Sequence, residues 1–205
     1  MVRILLLGDI TRPHYHSLQE CSPLVEALRE EFDVVVTENY VELTKEELKG
    51  FDLIMNYIDN WEDRGSEEVE ELLCDYVSDG GRMLTLHCGI IVKSAARLLA
   101  LHGASFRGHE DYSLLTFHRT KEHFITRDID TFSIYEEPYE FDFINSGHLD
   151  MILEYERNHK IYPAGWTAMV GEGRLVYLVF GHDKNTFVEK PVQELVIKSI
   201  EWLFQ

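Results

Sequence analysis

The sequence predicts an α/β fold with a mainly parallel sheet. Short apolar runs alternate with helical periodicity through the first hundred residues, which is the pattern that parallel strands with crossover helices produce. The chain has 205 residues, 45% of them hydrophobic, which is enough to build one well-packed core. We find no linker, repeat or low-complexity segment, so we expect a single domain over residues 1–205.

Four strands are predicted in the first half of the chain. Each is a short apolar run, rich in β-branched or aliphatic residues and bounded by polar residues or glycine. The runs are Val2–Leu7, Asp33–Thr37, Phe51–Asn56 and Arg82–Leu86. If they are parallel, their carboxyl ends share one edge of the sheet, where ligands bind in folds of this class.

Helices are predicted between these strands because each intervening segment carries a starting signal, and two of them also carry an ending signal. Serine, threonine and proline favour helix starts, and glycine favours helix ends. The signals are Ser22-Pro23, the capping box Thr44-x-x-Glu47 with Gly50 after it, and Ser66 with Gly80-Gly81 at the far end.

After about residue 104 the helical periodicity weakens, and β-branched and aromatic residues dominate. We expect this excursion, at about 104–170, to be rich in strands and to belong to the same domain. A final helix should start at Pro191, with an apolar stripe facing the core. The candidate strands of this half are Ser113–His118, Thr131–Ile134, Met151–Glu156 and Leu175–Phe180.

The charge balance argues against two classes of partner. Lysine and arginine number 19 against 37 aspartates and glutamates, and the net charge of −18 repels nucleic acid and anionic membrane surfaces. No apolar stretch is long enough to span a bilayer, and we see no export signal. Three widely spaced cysteines do not indicate a disulfide framework. We therefore expect a cytoplasmic protein with a small-molecule ligand, and the chain could form a homo-oligomer.

Polar residues follow several predicted strands, at the edge where a ligand would bind. For any one histidine, a hydrogen-bonded loop residue is the ordinary interpretation, but the coincidence at several strand ends favours a shared site. His14 and His16 could bind one metal ion only if their loop folds so that both rings face one point. The residues are Asp9, His14 and His16 after the first strand, Asn56 in the third, His87-Cys88-Gly89 after the fourth, and Gly181-His182-Asp183 after Leu175–Phe180.

The segment after the fourth strand has the pattern of an elbow, with a buried strand, a sharp turn and a helix that begins near Gly89. The residue at the tip would project into the cleft, and the helix N-terminus would favour negative charge there. With Gly89 in the last position of the Gly-x-nucleophile-x-Gly pattern, the tip is His87, although Thr85 replaces the first glycine. Cys88 fits a small buried residue better than a nucleophile.

Two acidic motifs complete the set of candidates. In His182-Asp183 a histidine has a carboxylate beside it, which suits a base or a metal ligand. Glu136-Glu137 is a pair of carboxylates held in place by the proline that follows, or simply part of an acidic surface.

Taken in order, these motifs make the chain resemble the ThuA-like (trehalose utilisation) family, within the class I glutamine amidotransferase-like superfamily. No single motif is specific, but the ordered set covers most of the chain. Phe124 and Glu136 replace the family's usual proline and aspartate. The motifs are Gly81…Leu86-His87-Cys88, Gly103-x-x-Phe106-x-Gly108-His109, His123-Phe124-Ile125-Thr126, Glu136-Glu137-Pro138-Tyr139, Pro163-x-x-Trp166, Gly171-x-Gly173-Arg174-x-x-Tyr177, Gly181-His182-Asp183 and Trp202.

The resemblance implies a flavodoxin-like three-layer sandwich and a role in carbohydrate metabolism. In amidotransferases of this superfamily the elbow tip is a cysteine that works with a histidine and a glutamate. Here His87 stands at the tip, so a thiolate mechanism loses its nucleophile and we do not expect glutamine hydrolysis. Within the motifs, we take His109, Tyr139 and Trp166 as candidate sugar contacts, together with Asp9, His14, His16 and Asn56.

Our leading hypothesis is an enzyme that acts on a sugar or disaccharide derivative through His87, His182 and Glu137. These residues would serve either as an acid–base set or as ligands of a divalent metal such as zinc, with Asp183 beside them. One alternative is a non-catalytic sugar-binding or regulatory module on the same fold. Another is a hydrolase that uses Cys88 with His182 and Asp183, which would require a thiol of depressed pKa.

Overall fold

One mixed sheet runs through the computed structural model, which describes residues 1–64, 67–92, 95–144 and 146–205. Within these residues nine strands form the main sheet in the order β2-β1-β3-β4-β11-β10-β9-β6-β7, and β5 pairs with β8. The strands are β1 (Arg3–Gly8), β2 (Asp33–Thr37), β3 (Leu53–Tyr57), β4 (Arg82–Leu86), β5 (Ala104–His109), β6 (Ser113–Arg119), β7 (Phe132–Glu136), β8 (Tyr139–Phe143), β9 (Leu149–Arg157), β10 (Lys160–Val170) and β11 (Gly173–Leu178).

The main sheet has a parallel half and an antiparallel half. Strands β2, β1, β3, β4 and β11 run parallel, whereas β10, β9, β6 and β7 join them in antiparallel pairs. The α/β class is confirmed, but the sheet is mixed and not mainly parallel. The reason lies in the connections: short turns at Asn158-His159 and Gly171, all with positive φ, can join only antiparallel neighbours.

Helices pack on both faces of the sheet. On β1, Ile4 and Leu6 pack into one apolar core and Leu5 into another, so the strand is buried on both sides. This explains its unbroken apolar run. The helices are α1 (Ser22–Leu28), α2 (Lys45–Leu48), α3 (Trp61–Arg64), α4 (Glu67–Ser78), α5 (Ala96–His102), α6 (Lys184–Val188) and α7 (Lys190–Leu203).

The predicted helix-capping and first-turn residues are found at helix starts where the structure describes them. Thr44 and Glu47 form the reciprocal capping box of α2, and α1 and α7 each have a proline in the first turn. The predicted cap Ser66 lies outside the described residues. No helix among the described residues has the length and apolar character needed to cross a membrane.

The elbow segment departs from the prediction. His87–Ile90 form a single 3-10 turn, and α5 begins only at Ala96. Gly89 lies so close to β3 that a Cβ there would be 2.4 Å from the carbonyl oxygen of Asn56. The predicted helix near Gly89 was therefore wrong: the turn packs against β3, and the β-branched Ile90, Ile91 and Val92 that follow are poor helix formers.

Three strands were missed in the excursion, namely β5, β8 and β10. β10 contains Pro163 and Gly165, which weaken a strand pattern, and its pairing with β9 shifts register there. β8 begins within the Glu136-Glu137-Pro138-Tyr139 motif, which looks like a turn in sequence. The excursion extends the main sheet and adds the β5–β8 pair beside it.

The buried His102 should make stability depend on pH. Its Nδ1–H donates to the carbonyl of Leu98, its Nε2 accepts from Thr85, and burial lowers its pKa from 6.5 to about 4. The unfolded chain therefore binds an additional proton between these pH values. The His102 contribution is full above pH 6.5 and falls by about 3 kcal/mol as the pH drops to about 4.

We expect His102→Asn to cost stability at neutral pH and to cost less as the pH falls from 6.5 to 4.5. Urea unfolding of both proteins across that range measures the difference. Parallel stability curves for the two proteins would contradict the assignment.

Candidate metal centre

Three histidines and one glutamate meet at the carboxyl ends of the parallel strands. His16 lies in the loop after β1, His87 directly follows β4, His182 follows β11, and Glu137 lies between β7 and β8. One ligand atom from each lies within 4.8 Å of those of the other three. The predicted trio of His87, His182 and Glu137 is thus brought together, and His16, which we had taken as a sugar contact, joins it. We call these four residues the histidine–glutamate cluster.

His87 is held in a strained backbone conformation. Its φ is 42°, in the left-handed region that histidine rarely adopts, and its side chain is fully buried. The Nδ1–H donates to the carbonyl of Val179 at 2.6 Å, so the Nε2 atom faces the cluster. Gly181 makes room for this ring, because a Cβ at that position would be 2.7 Å from the Cβ of His87.

His16 is oriented in the same way as His87. Its Nδ1 is 3.3 Å from the carbonyl oxygen of His182, and its Nε2 is 3.6 Å from a carboxylate oxygen of Glu137. The loop that carries it is fixed by Asp59, whose Oδ2 accepts from the backbone N–H groups of His14 and Tyr15, each at 2.5 Å. The His14 ring points away and stacks on Tyr15.

Glu137 lies at the centre of the cluster. Its Oε2 is 3.2 Å from Nε2 of His87, and its Oε1 is 3.1 Å from Nδ1 of His182. His109 approaches from the solvent side, with its Nε2 3.7 Å from Oε1. Both carboxylate oxygens are thus surrounded by imidazole nitrogens.

When His87 and His16 are neutral, their ring nitrogens that face Glu137 carry no proton. Since a carbonyl oxygen only accepts, His87 and His16 carry their protons on Nδ1 when neutral, and each Nε2 then presents a lone pair to the carboxylate. Nδ1 of His182 is buried and lies 3.1 Å from Oε1 of Glu137. Lone pairs facing a carboxylate repel one another unless a proton or a cation lies between them.

The ionisation of the cluster follows from burial and from these contacts. Burial, together with the neighbouring His87, lowers the pKa of His16 to about 3, so this ring is neutral at pH 7. Glu137 raises the pKa of His182. Burial alone would raise the pKa of Glu137, but its contacts with His182 and His87 reverse the direction and lower it. The carboxylate therefore stays charged.

Glu136 supports the cluster from behind and is fully buried. Its Oε1 accepts from the backbone N–H of Glu137 at 2.8 Å. Its Oε2 accepts from the N–H of Gly181 and the hydroxyl of Thr186, both at 3.0 Å. One carboxylate thus connects the segment that carries Glu137 to the segment that carries His182.

Cys88 and Asp183 do not reach the cluster as reactive groups. Cys88 is fully buried, its Sγ faces the carbonyl of Tyr57, and burial raises the pKa of the thiol well above its usual value. This contradicts the hydrolase that would use Cys88. Asp183 caps α6 by accepting from the N–H groups of Asn185 and Thr186.

The predicted sugar contacts divide into two groups. Asp9, Asn56 and Trp166 are buried structural residues: Asp9 accepts from the N–H groups of Asp59 and Asn60, Asn56 bonds Gly89 and Ile58, and Trp166 donates to the carbonyl of His102. Those positions cannot contact a ligand outside the core. Tyr139 is also buried and stacks on His87 at 4.2 Å, whereas His109 is exposed and lies beside the cluster.

Two residues near the cluster were missed by the sequence analysis. Glu136 was identified only as half of an acidic pair, and its burial has no signature in the sequence. Tyr112 follows β5 and lies with its ring centroid 4.6 Å from that of His182. A cavity of about 500 Å³ between β2 and α1 includes no residue of the cluster among its lining.

Comparison with known structures supports the fold. The similar structures include a ThuA-like protein from Bacteroides uniformis, with 16% identity, a TM-score of 0.83, and coverage of 98% of this chain and 91% of that one. A cytoplasmic protein from Salmonella typhimurium has 14% identity, a TM-score of 0.70, and coverage of 98% and 99%. A β-galactosidase from Bacillus circulans, with 14% identity and a TM-score of 0.67, is covered over only 31% of its chain, against 98% of this one.

At such identities these structures establish similarity of fold alone. No curated protein matches the chain significantly in sequence. The family model for ThuA, described as trehalose utilisation, matches residues 4–203. With this match over nearly its whole length, the chain belongs to the ThuA family.

Proposed function

We propose that this protein is an enzyme of carbohydrate metabolism that binds a divalent cation, with zinc as the first candidate, through His16, His87, Glu137 and His182. The observation that carries the proposal is the direction of the ring nitrogens. Two imidazoles commit Nδ1 to backbone carbonyls and direct Nε2 at one carboxylate. Histidines that bind a metal through one ring nitrogen typically donate the N–H of the other to a carbonyl or a carboxylate.

The donor set and its dimensions suit such a cation. Zinc binds histidine nitrogen and carboxylate oxygen at about 2.0–2.2 Å, which puts tetrahedral ligand atoms about 3.3 Å apart. Three of the contacts within the cluster measure 3.1, 3.2 and 3.6 Å. A cation between the lone pairs would also remove their mutual repulsion.

The exposure of the four side chains suggests how a substrate would approach. His87 is fully buried and His16 is 6% exposed, whereas His182 is 30% exposed and lies on the solvent side. A bound cation would polarise a hydroxyl or carbonyl oxygen, or lower the pKa of a bound water. The carbonyls of Val179 and His182 would hold the two inner rings, and His109, which is exposed beside the cluster, would exchange protons with the substrate.

The sugar substrate is proposed from the family description, trehalose utilisation. We propose a sugar or disaccharide derivative, the flavodoxin-like three-layer sandwich for the fold, and a cytoplasmic location. Glutamine hydrolysis is not proposed, because the buried Cys88 offers no thiolate to the cluster.

Replacing His16 tests the cation directly, and the same loop provides a matched control. Protein made without a histidine tag should contain close to one divalent ion per chain. His16→Ala should lose that ion and the rise in melting temperature on adding zinc, whereas His14→Ala, whose ring points away, should keep both. Elemental analysis and thermal unfolding measure the two effects.

Metal-free wild-type protein that gains no stability from Zn²⁺, Mn²⁺, Co²⁺ or Fe²⁺ would contradict the metal site. If such a protein still turned over a sugar substrate and lost activity in His16→Ala, the four residues would act as an acid–base set instead. Binding of sugars without turnover would contradict the enzyme.

A further inference from the structure

Exposed apolar residues continue from the histidine–glutamate cluster onto the surface. The Tyr112 ring is 4.6 Å from that of His182, and the Tyr135 ring is 5.8 Å from that of Tyr112. Leu114 pairs with Tyr135 across the β6–β7 ladder, and each is 57% exposed. We call Tyr112, Leu114 and Tyr135 the tyrosine platform.

The platform is confined to the end of the β6–β7 ladder that lies next to the cluster. The inward-facing residues of the same strands, Leu115 and Ile134, are buried in the core as expected. Further from the cluster the outward face becomes polar, since Thr116 and Ser133 pair through their hydroxyls at 2.9 Å. A solvent-facing sheet surface is normally polar along its length. The apolar residues are therefore confined to one end of the ladder, and we attribute their position to the adjacent cluster.

The charges around the platform restrict what it can bind. The carboxylates of Asp183, Glu136 and Glu137 all act electrostatically on the Tyr112 hydroxyl. Arg157, on strand β9 that pairs with β6, forms an ion pair with Glu110. A phosphorylated or carboxylated ligand would meet repulsion here, whereas an uncharged ring would not.

We propose that the tyrosine platform is a subsite for a second ring of an uncharged glycoside whose reacting part lies at the cluster. Tyrosine faces stack well on flat, weakly polar ring surfaces, and two adjacent rings with Leu114 offer the area of one sugar or aryl ring. This inference rests on the proposed function, because it takes the cluster as the place of reaction. It makes Tyr112 and Tyr135 determinants of specificity.

Calorimetric titration with one-ring and two-ring probes tests the subsite. The probes are methyl glucoside, 4-nitrophenyl glucoside, trehalose and glucose 6-phosphate. We expect the wild-type protein to bind at least one two-ring probe more tightly than methyl glucoside and to bind the phosphate ester least. Tyr135→Ala and Tyr112→Ala should each lower the affinity for the two-ring probe by about tenfold, the equivalent of about 1.4 kcal/mol. The affinity for methyl glucoside should not change. Tyr135→Phe, which keeps the ring, should bind like the wild type.

Equal affinity of Tyr135→Ala and the wild type for the two-ring probes would overturn the subsite, as would the absence of any glycoside binding. If Tyr135→Ala instead abolished a concentration-dependent self-association, the platform would be an interface between copies of the chain. Metal content, measured on the same samples, separates the proposals: an ion-free wild type refutes the metal site, whereas normal metal content with unchanged probe affinity refutes only the platform.

Discussion

Replacing Glu137 with glutamine should abolish divalent-metal binding while leaving the fold intact. The carboxylate supplies the negative charge of the proposed site and contacts His16, His87 and His182. A ligand at one hundred times its dissociation constant stabilises a protein by about 2.7 kcal/mol. For a domain of this size that is about 5–10 °C in melting temperature. We expect Glu137→Gln to lose this rise completely.

The metal-free form of Glu137→Gln should fold and should melt at the same temperature with and without added zinc. A glutamine NH₂ group can donate to the Nε2 lone pair of His87, which the carboxylate cannot do. Thermal unfolding with and without zinc measures both effects. Glu110→Gln is a matched control, because it also removes one negative charge, on an exposed residue that pairs with Arg157. Full zinc response in Glu137→Gln would refute the metal site.

Replacing Glu136 with glutamine should damage both stability and metal affinity. Its two oxygens accept hydrogen bonds from the N–H groups of Glu137 and Gly181 and from the hydroxyl of Thr186. Glutamine presents an NH₂ group to one set of these donors, so at least one buried N–H loses its acceptor. We expect destabilisation by about 3 kcal/mol and a loss of metal affinity of about 10–100-fold.

The two effects of Glu136→Gln are separated by titrating folded protein. Metal affinity is measured at a temperature where circular dichroism shows full folding, and the visible spectrum of the Co²⁺-loaded protein reports the ligand geometry. Thr186→Val removes one donor only and should cost about 1 kcal/mol with metal affinity near that of the wild type. If Glu136→Gln loses stability but keeps wild-type affinity and spectrum, Glu136 supports the fold and does not position the cluster.

The parallel half of the sheet could be predicted from the sequence because its inner strands, β1, β3, β4 and β11, are buried on both faces. Continuous apolar runs such as Leu5-Leu6-Leu7 are a strong local signal, and capping motifs mark the helices between them. The antiparallel half has half-buried strands, and β10 contains Pro163 and Gly165. Its pairing is set by turns and tertiary contacts that a single sequence does not reveal.

The candidate site was partly predictable because strand ends converge in parallel sheets. That rule identified His87 and His182, and it indicated that His14 or His16, in the loop after the first strand, could also face the site. It could not decide which one, nor could it separate Glu136 from Glu137, because neighbouring carboxylates differ only in burial. Trp166 was wrongly taken as a sugar contact, since a tryptophan has the same appearance in sequence whether it packs in the core or lies at a surface.

The four members of the cluster come from four distant stretches of the polypeptide, between positions 16 and 182. None of these stretches contributes more than one ligand atom to the cluster, so the four-residue site exists only in the folded chain. Capture would have to wait until the sheet has assembled and would favour the native state alone. Metal binding would therefore follow folding and stabilise the folded protein, and it would not nucleate folding.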